Sequence, residues 1–178
     1  MIKNLIFKIR YLLRYGSNCK IESSIVSSDV KLQKYVNITS SKVAGNVRIG
    51  EYSSIADNTQ ILSKFCKILI GKRVSIAPNV LIQNYSHNLD YRITNNNALK
   101  KRVGEKKFLE IQRKTSNDIV IGDDVWIGIN SIIMPGVKIG NCSVVGANSL
   151  VNKSIGENEI WAGSPARLIS KREYIDIL

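Results

Sequence analysis

The chain has 178 residues, enough for one domain, and a hydrophobic share of 44% that suits a folded protein. Lys and Arg outnumber Asp and Glu by 26 to 14, a net charge of +12, but no helix-turn-helix, zinc-finger or aromatic-basic RNA motif accompanies the excess. The excess reads as solvated faces, and no nucleic-acid partner is expected. Three cysteines without metal or redox spacing (Cys19, Cys66, Cys142) point to a reducing compartment, and no run of about eighteen apolar residues exists to span a membrane.

Residues 1–20 open on an amphipathic helix. Ile2, Leu5, Ile6, Ile9, Leu12 and Leu13 fall at helical spacing, with Lys3, Lys8, Arg10 and Arg14 elsewhere on the wheel. Charges interrupt the apolar stretch and no small-residue cleavage site follows, so it does not read as a signal peptide. Two roles stand open: a cap over the end of a solenoid, or a basic helix that holds residues 1–14 against an anionic membrane. The expected location is cytoplasmic, at the inner face of the membrane under the second role.

Residues 21–162 carry a six-residue beat. Val30 and Val36 begin it, then Val43, Ile49, Ile55 and Ile61 keep it, with Val47, Ser53, Thr59 and Phe65 four places on. After a three-residue slip it resumes at Ile70, Ile76 and Ile82, with Val74, Val80 and Ser86 in the second slot. It runs last through Ile121, Ile127, Ile133, Ile139, Val145 and Val151, paired with Val125, Ser131, Val137, Ser143, Ser149 and Ile155. A period of six is neither helical nor that of a half-buried strand; it marks a parallel β-helix. Three flat faces with corners between them give a triangular prism of roughly eighteen residues per turn. The leading aliphatic points inward and the second slot must fit near a corner. Glycine after the aliphatic (Gly122, Gly128, Gly140, Gly146) suits a tight or left-handed backbone there.

The beat fails between about residues 87 and 118. Insertions this long in a repeat emerge on one face, often the binding face. Asn95 to Asn97 and Lys100 to Lys107 read as solvated, while Phe108-Leu109-Glu110-Ile111 offers a patch to dock against a neighbouring subunit. His87, the only histidine, stands where the last regular strand enters this loop. Its ordinary pKa near neutrality makes it the one side chain here suited to general base chemistry, against the plain alternative of a surface or packing residue. One histidine per chain cannot build a three-histidine zinc site, so no metal is expected. Trp126 falls beside a second slot and should point outward. Residues 163–178 read as a short helix or strand-like cap, with Pro165 at a position that suits a helix start.

Ile70-Gly-Lys-Arg-Val-Ser-Ile-Ala-Pro-Asn-Val, Ser86-His87-Asn88-Leu89-Asp90, Ile121-Gly-Asp-Asp-Val-Trp126-Ile-Gly and Gly163-Ser164-Pro165-Ala166-Arg167 carry a resemblance in order and spacing. From about Ile70 to Arg172 the chain resembles the hexapeptide-repeat acyltransferases. The nearest branch holds galactoside, maltose and xenobiotic acetyltransferases and the O-acetyltransferases of surface polysaccharides. The resemblance implies an all-β solenoid, a left-handed parallel β-helix, that forms homotrimers with active sites between subunits. It also implies that His87 is the general base, that Trp126 lines the cleft, and that the Ile129 backbone N–H stabilises the oxyanion. By the same token acetyl-CoA is the co-substrate, met by Ile129, Ala147, Asn152, Lys153 and Arg167. Two positions depart from the pattern: Ile129 where Ser is usual, and Asn152 where Thr is common. What orients His87 is left open between Asp90 and a backbone carbonyl.

The expected function is acetyl-CoA-dependent O-acetylation of a sugar hydroxyl in bacterial surface polysaccharide synthesis. Alternatives are N-acetylation of a nucleotide-linked amino sugar, O-acetylation of an antibiotic, and a β-helix scaffold without activity.

Overall fold

The computed structural model describes residues 18–173. The helix expected over residues 1–20 therefore lies outside the described residues as far as residue 17. Lys20 already belongs to a strand, which moves the start of the solenoid forward.

Short strands follow one another in triples, one strand per face. The first coils are β1 (Lys20–Glu22), β2 (Ile25–Val26) and β3 (Lys31–Leu32), then β4 (Asn37–Thr39), β5 (Lys42–Ala44) and β6 (Val47–Ile49). Next come β7 (Ser54–Ile55), β8 (Gln60–Leu62) and β9 (Ile68–Ile70), then β10 (Ser75–Ile76), β11 (Leu81–Gln83) and, across the extrusion, β12 (Ile119–Ile121). The last coils are β13 (Trp126–Ile127), β14 (Ile132–Ile133) and β15 (Lys138–Ile139), then β16 (Val144–Val145) and β17 (Leu150–Val151). A hairpin of β18 (Glu159–Gly163) and β19 (Ala166–Lys171) closes the described chain.

Every third strand pairs in parallel with its equivalent one coil away. Sheet I runs β1-β4-β7-β10-β13-β16-β18-β19, sheet II β17-β14-β11-β8-β5-β2, and sheet III β15-β12-β9-β6-β3. The register stacks like on like: Ile55, Ile76, Ile127 and Val145 in sheet I; Val43, Ile61, Ile82, Ile133 and Val151 in sheet II. Sheet III stacks Ile49, Ile70, Ile121 and Ile139. These aliphatics are buried and form one continuous core down the prism, as the beat predicts. Buried hydroxyls climb the corner between sheets I and II. Ser131 Oγ donates to the Gly146 carbonyl at 3.0 Å, and Ser149 Oγ donates to the same oxygen at 2.6 Å and accepts the Gly163 N–H at 3.1 Å. Each satisfies backbone groups that a purely apolar corner would strand.

The glycines serve a different purpose from the left-handed one. A Cβ on Gly71 would lie 2.6 Å from the Gly122 carbonyl carbon, and one on Gly128 would lie 2.6 Å from the Ala147 nitrogen. They admit the close approach of the next coil. Left-handed backbone falls two places further on, at Arg73 (φ 54°), Asp124 (57°), Asn130 (60°) and Asn148 (56°). Asn and Asp tolerate that region, which is why these corners are rich in them. Phe65 and Ser86, assigned to second slots, are instead exposed, because each lies where the coil departs from strict sixes.

The interruption spans residues 84–118 and folds. Helix α1 (Asn96–Val103) is capped by Asn95, whose Oδ1 accepts the Ala98 N–H at 3.0 Å, and α2 (Glu105–Lys114) follows Gly104. Leu99, Phe108 and Ile111 bury one another with Tyr91 and Val103 packed alongside. The apolar patch expected to dock on a neighbour is thus spent inside the extrusion itself. At the other end, Ala166 to Lys171 form a strand rather than a helix; antiparallel pairing with Glu159 to Gly163 satisfies its backbone and overrides the proline signal.

Ile133, fully buried between Ile82 and Val151 in its column, tests the stack. Ile133→Ala is expected to lower the unfolding free energy in urea by about 2–5 kcal/mol, and a loss under about 1 kcal/mol would contradict continuous packing.

Candidate functional site

The root of the extrusion is clamped before His87 leaves it. Tyr85 bridges Ser116, the Asn117 N–H donates to the Asn84 carbonyl at 2.9 Å, and Thr115 Oγ1 donates to the Ser86 carbonyl at 2.8 Å. Buried Asn84 ties the root to the coil above, accepting the Lys64 N–H at 2.8 Å and donating to Ser63 Oγ at 3.3 Å. His87 emerges exposed, with Nδ1 2.8 Å from the Thr94 carbonyl oxygen. A carbonyl only accepts, so Nδ1 carries the proton and the neutral ring leaves Nε2 with a free lone pair. This resolves the question of orientation in favour of a backbone carbonyl. Asp90 is exposed, and its N–H closes a turn onto the buried Asn88 Oδ1 at 2.8 Å. Sequence offers no signal for Thr94, whose side chain plays no part in this contact.

Trp126 lies on the outer side of sheet I between Ser75 and Val144, 52% exposed, as its position beside a second slot implies. Three places on, Ile129 occupies the corner between sheets I and II. Its carbonyl accepts the Asn148 N–H at 2.8 Å, and among the described residues its own N–H has no backbone acceptor. Ala147 sits directly beneath, since Gly128 touches it, and Gly146 in turn rests on Ala162, the strand partner of Arg167. Ile129 and Ala147 therefore stack at this corner, and Arg167 lies in the adjacent column that runs through Gly128, Gly146 and Ala162. Arg167 is exposed, its Nη1 donating to the Ala166 carbonyl at 2.8 Å.

Asn152 and Lys153 follow β17 and are exposed at the opposite edge of sheet II. Because β17 stacks on β14 and β14 on β11, they share that edge with the loop root that carries His87. The expected site residues thus fall into two groups, one on each side of sheet II. Within a single chain they do not converge, and the cleft at Trp126 is not lined by His87.

Sequence reasoning did not single out what surrounds Trp126: a cleft of about 400 Å³ lined by Arg73, Ser75, Asp124, Val125 and Arg172. Arg73 grips Asp124 through two bonds of 2.7 Å, Nε to Oδ1 and Nη2 to Oδ2. The bond to Arg73 holds the Asp124 carboxyl below the usual carboxylate range, and the same bond raises the Arg73 guanidinium further. The repeat phase could have found this pair, since each residue stands three places after an inward isoleucine and the two stack one coil apart. A larger groove, about 470 Å³, runs along sheet III past Lys31, Arg48, Lys72 and Asp123, and none of the expected site residues lines it. Among the described residues no group of three His, Cys, Asp or Glu comes together, and no helix is long and apolar enough to cross a membrane.

Residues 118–153 match the family model for the bacterial transferase hexapeptide (six repeats). The chain is 35% identical over 129 residues to the putative lipopolysaccharide biosynthesis O-acetyl transferase WbbJ of Escherichia coli K12, covering 72% of this chain and 59% of that protein. It is likewise 35% identical over 124 residues to the galactoside O-acetyltransferase of the same strain, covering 70% and 53%. Among solved structures, a hexapeptide-repeat-containing acetyltransferase from Vibrio cholerae O1 biovar eltor, complexed with acetyl coenzyme A, superposes with a TM-score of 0.61 at 29% identity, covering 94% of this chain and 79% of that one. The chain spans between half and three-fifths of the length of the two Escherichia coli relatives. The chain carries the repeat of the hexapeptide transferases and is similar to their acetyltransferases, and its three-sheet solenoid is a left-handed parallel β-helix like those of its solved neighbours.

The Arg73–Asp124 pair has a pH signature. A depressed folded pKa contributes stability that is present above the unfolded value near 3.9 and is lost as pH falls through the lower folded value. The gap in melting temperature between the native protein and Asp124→Asn is expected to close as pH drops from 7 to about 2. A gap that persists at acid pH would show that the contact acts through packing instead.

Proposed function

We propose that the protein is an acetyl-CoA-dependent O-acetyltransferase whose acceptor is a sugar hydroxyl in the synthesis of bacterial surface polysaccharide. The observation that carries this is the Thr94 carbonyl on His87 Nδ1. It fixes the tautomer in which exposed Nε2 accepts a proton. A sugar hydroxyl is a weak nucleophile at neutral pH, and a positioned base contributes about 10²–10⁴-fold. Nε2 takes the hydroxyl proton as the oxygen forms its bond to the thioester carbon. The Ile129 N–H donates to the carbonyl oxygen as negative charge builds there. The carbon–sulfur bond then breaks, and the proton held on His87 passes to the departing thiolate, leaving the ring neutral again. Ala147 offers a flat corner for the pantetheine arm; Asn152 supplies a polar contact, and Lys153 and Arg167 supply cations for phosphates. The similarity to the two O-acetyltransferases of Escherichia coli supports the acetyl group and the hydroxyl acceptor.

The separation of the site residues on the two sides of sheet II supports an assembly. We propose a homotrimer in which the corner of one copy, carrying Ile129 and Ala147, meets the loop root of the next, carrying His87. The outward column Leu81, Ile132 and Leu150 lies in register between the two groups and supplies apolar surface for such a contact. The working location is the cytoplasm, where the acetyl donor is made.

Two measurements test this. His87→Ala is expected to lower kcat for thiol release from acetyl-CoA with a sugar acceptor by about 10²–10⁴-fold with an unchanged melting temperature, and near-native turnover would remove the base. Refolding a one-to-one mixture of His87→Ala and Ala147→Trp chains is expected to restore about a quarter of native activity, because random trimers pair an intact histidine with an intact corner at that frequency. No recovery would place both halves of the site in one chain.

A further inference from the structure

Trp126 leaves half its surface in water, in a cleft that also holds two guanidinium groups. Their charges are not equally matched. Arg73 and Asp124 form a closed pair, both carboxylate oxygens being engaged. Among the described residues Arg172 hydrogen-bonds only neutral groups there, its Nη1 donating to the Cys142 carbonyl at 3.2 Å and the Asp124 carbonyl at 3.4 Å, while its charge also helps hold down the Asp124 carboxyl that Arg73 already grips. The hairpin fixes it, since the Arg172 N–H donates to the Asn158 carbonyl at 2.6 Å. Anchoring through Nη1 leaves Nε and Nη2 as a parallel pair of donors, the fork that matches a carboxylate or phosphate. The residues lining the cleft therefore carry one cation in excess, already positioned.

Position within the strand says which part of the reaction it serves. Trp126 lies between Asp124 on one side and Ile129, the proposed oxyanion donor, on the other. At about 3.3 Å per residue of extended chain, that span is on the order of 15 Å, the length of two to three sugar rings. The proposed cofactor contacts Ala147 and Arg167 lie beyond Ile129, away from Arg172. A pyranose laid on the indole covers exposed apolar surface. Its reacting hydroxyl then points towards Ile129, and a charged substituent points towards Arg172.

We infer that the acceptor sugar carries an anionic group, a carboxylate or a phosphate, within that span of the hydroxyl that is acetylated, and that Arg172 binds it while Arg73 and Asp124 frame the cleft. This rests on the acetyl-transfer reading for the identity of the acceptor, but the cleft itself does not depend on that reading.

Calorimetry with digalacturonate, its dimethyl ester and glucose 1-phosphate, on the native protein, Arg172→Gln and Arg172→Lys, tests it, with coenzyme A titrated separately. The native protein is expected to bind digalacturonate about tenfold more tightly than the neutral ester. Arg172→Gln should abolish that preference and Arg172→Lys keep part of it, with coenzyme A affinity changed less than about twofold. Stronger binding of glucose 1-phosphate, also dependent on Arg172, assigns the anion as a phosphate. Equal binding of ester and acid overturns the proposal, as does a parallel loss of coenzyme A affinity in Arg172→Gln. Arg172-dependent sugar binding in a native protein that releases no thiol from acetyl-CoA would sink the acetyl-transfer reading and leave the anion cleft standing.

Discussion

Everything in this molecule depends on how closely one coil can lie on the next. Parallel pairing in register requires backbone to approach backbone at every corner, and glycines at 71, 122, 128, 140 and 146 make room where a Cβ would meet the adjacent coil. Once that spacing is fixed, aliphatics stack in three columns, and corner hydroxyls fall within reach of carbonyls one coil away. The phase of the whole prism then follows. A functional side chain is located by its face and its coil, and both are set by this packing.

The same constraint explains why chemistry gathers at exceptions. A regular coil offers only short strands and tight corners, with no room to hold an imidazole clear of the stack. The extrusion after β11 provides it, because a helical pair with its own small apolar cluster can hold Thr94 against His87 while Asn84 pins the root to the rigid stack. The closing hairpin is the other exception. It reverses direction at the end of the solenoid and brings Arg167 to one corner and Arg172 to another.

Much of this was legible in the residues. Ile121 to Val151 announce the period without ambiguity, the phase turns Trp126 outward and the break in it frames His87, while Ile129 stands out only through the family resemblance. The helices of the extrusion were not legible as such, since Asn95 to Lys107 is polar and only Leu99, Phe108 and Ile111 meet, across a turn. Thr94 was invisible because a backbone carbonyl leaves no trace in residue type. Glycine after the aliphatic signals a tight or left-handed backbone in the sequence, whereas in the fold it admits the next coil and left-handed backbone belongs to Asp124, Asn130 and Asn148. Arg73 with Asp124 was readable in principle, since equal phase one coil apart means contact. Arg172 was not, because it leaves the beat altogether.

Under the proposed function, the Thr94 carbonyl sets His87 as a base through its tautomer. Since the sequence contains a single histidine, a long-range proton–nitrogen correlation spectrum of the ¹⁵N-labelled protein reports on it without assignment. At a pH where the ring is neutral, the account predicts a protonated Nδ1 and an Nε2 resonance with the shift of an unprotonated nitrogen. A spectrum with the proton on Nε2 would contradict it, for then the exposed nitrogen has no lone pair to receive the acceptor's proton.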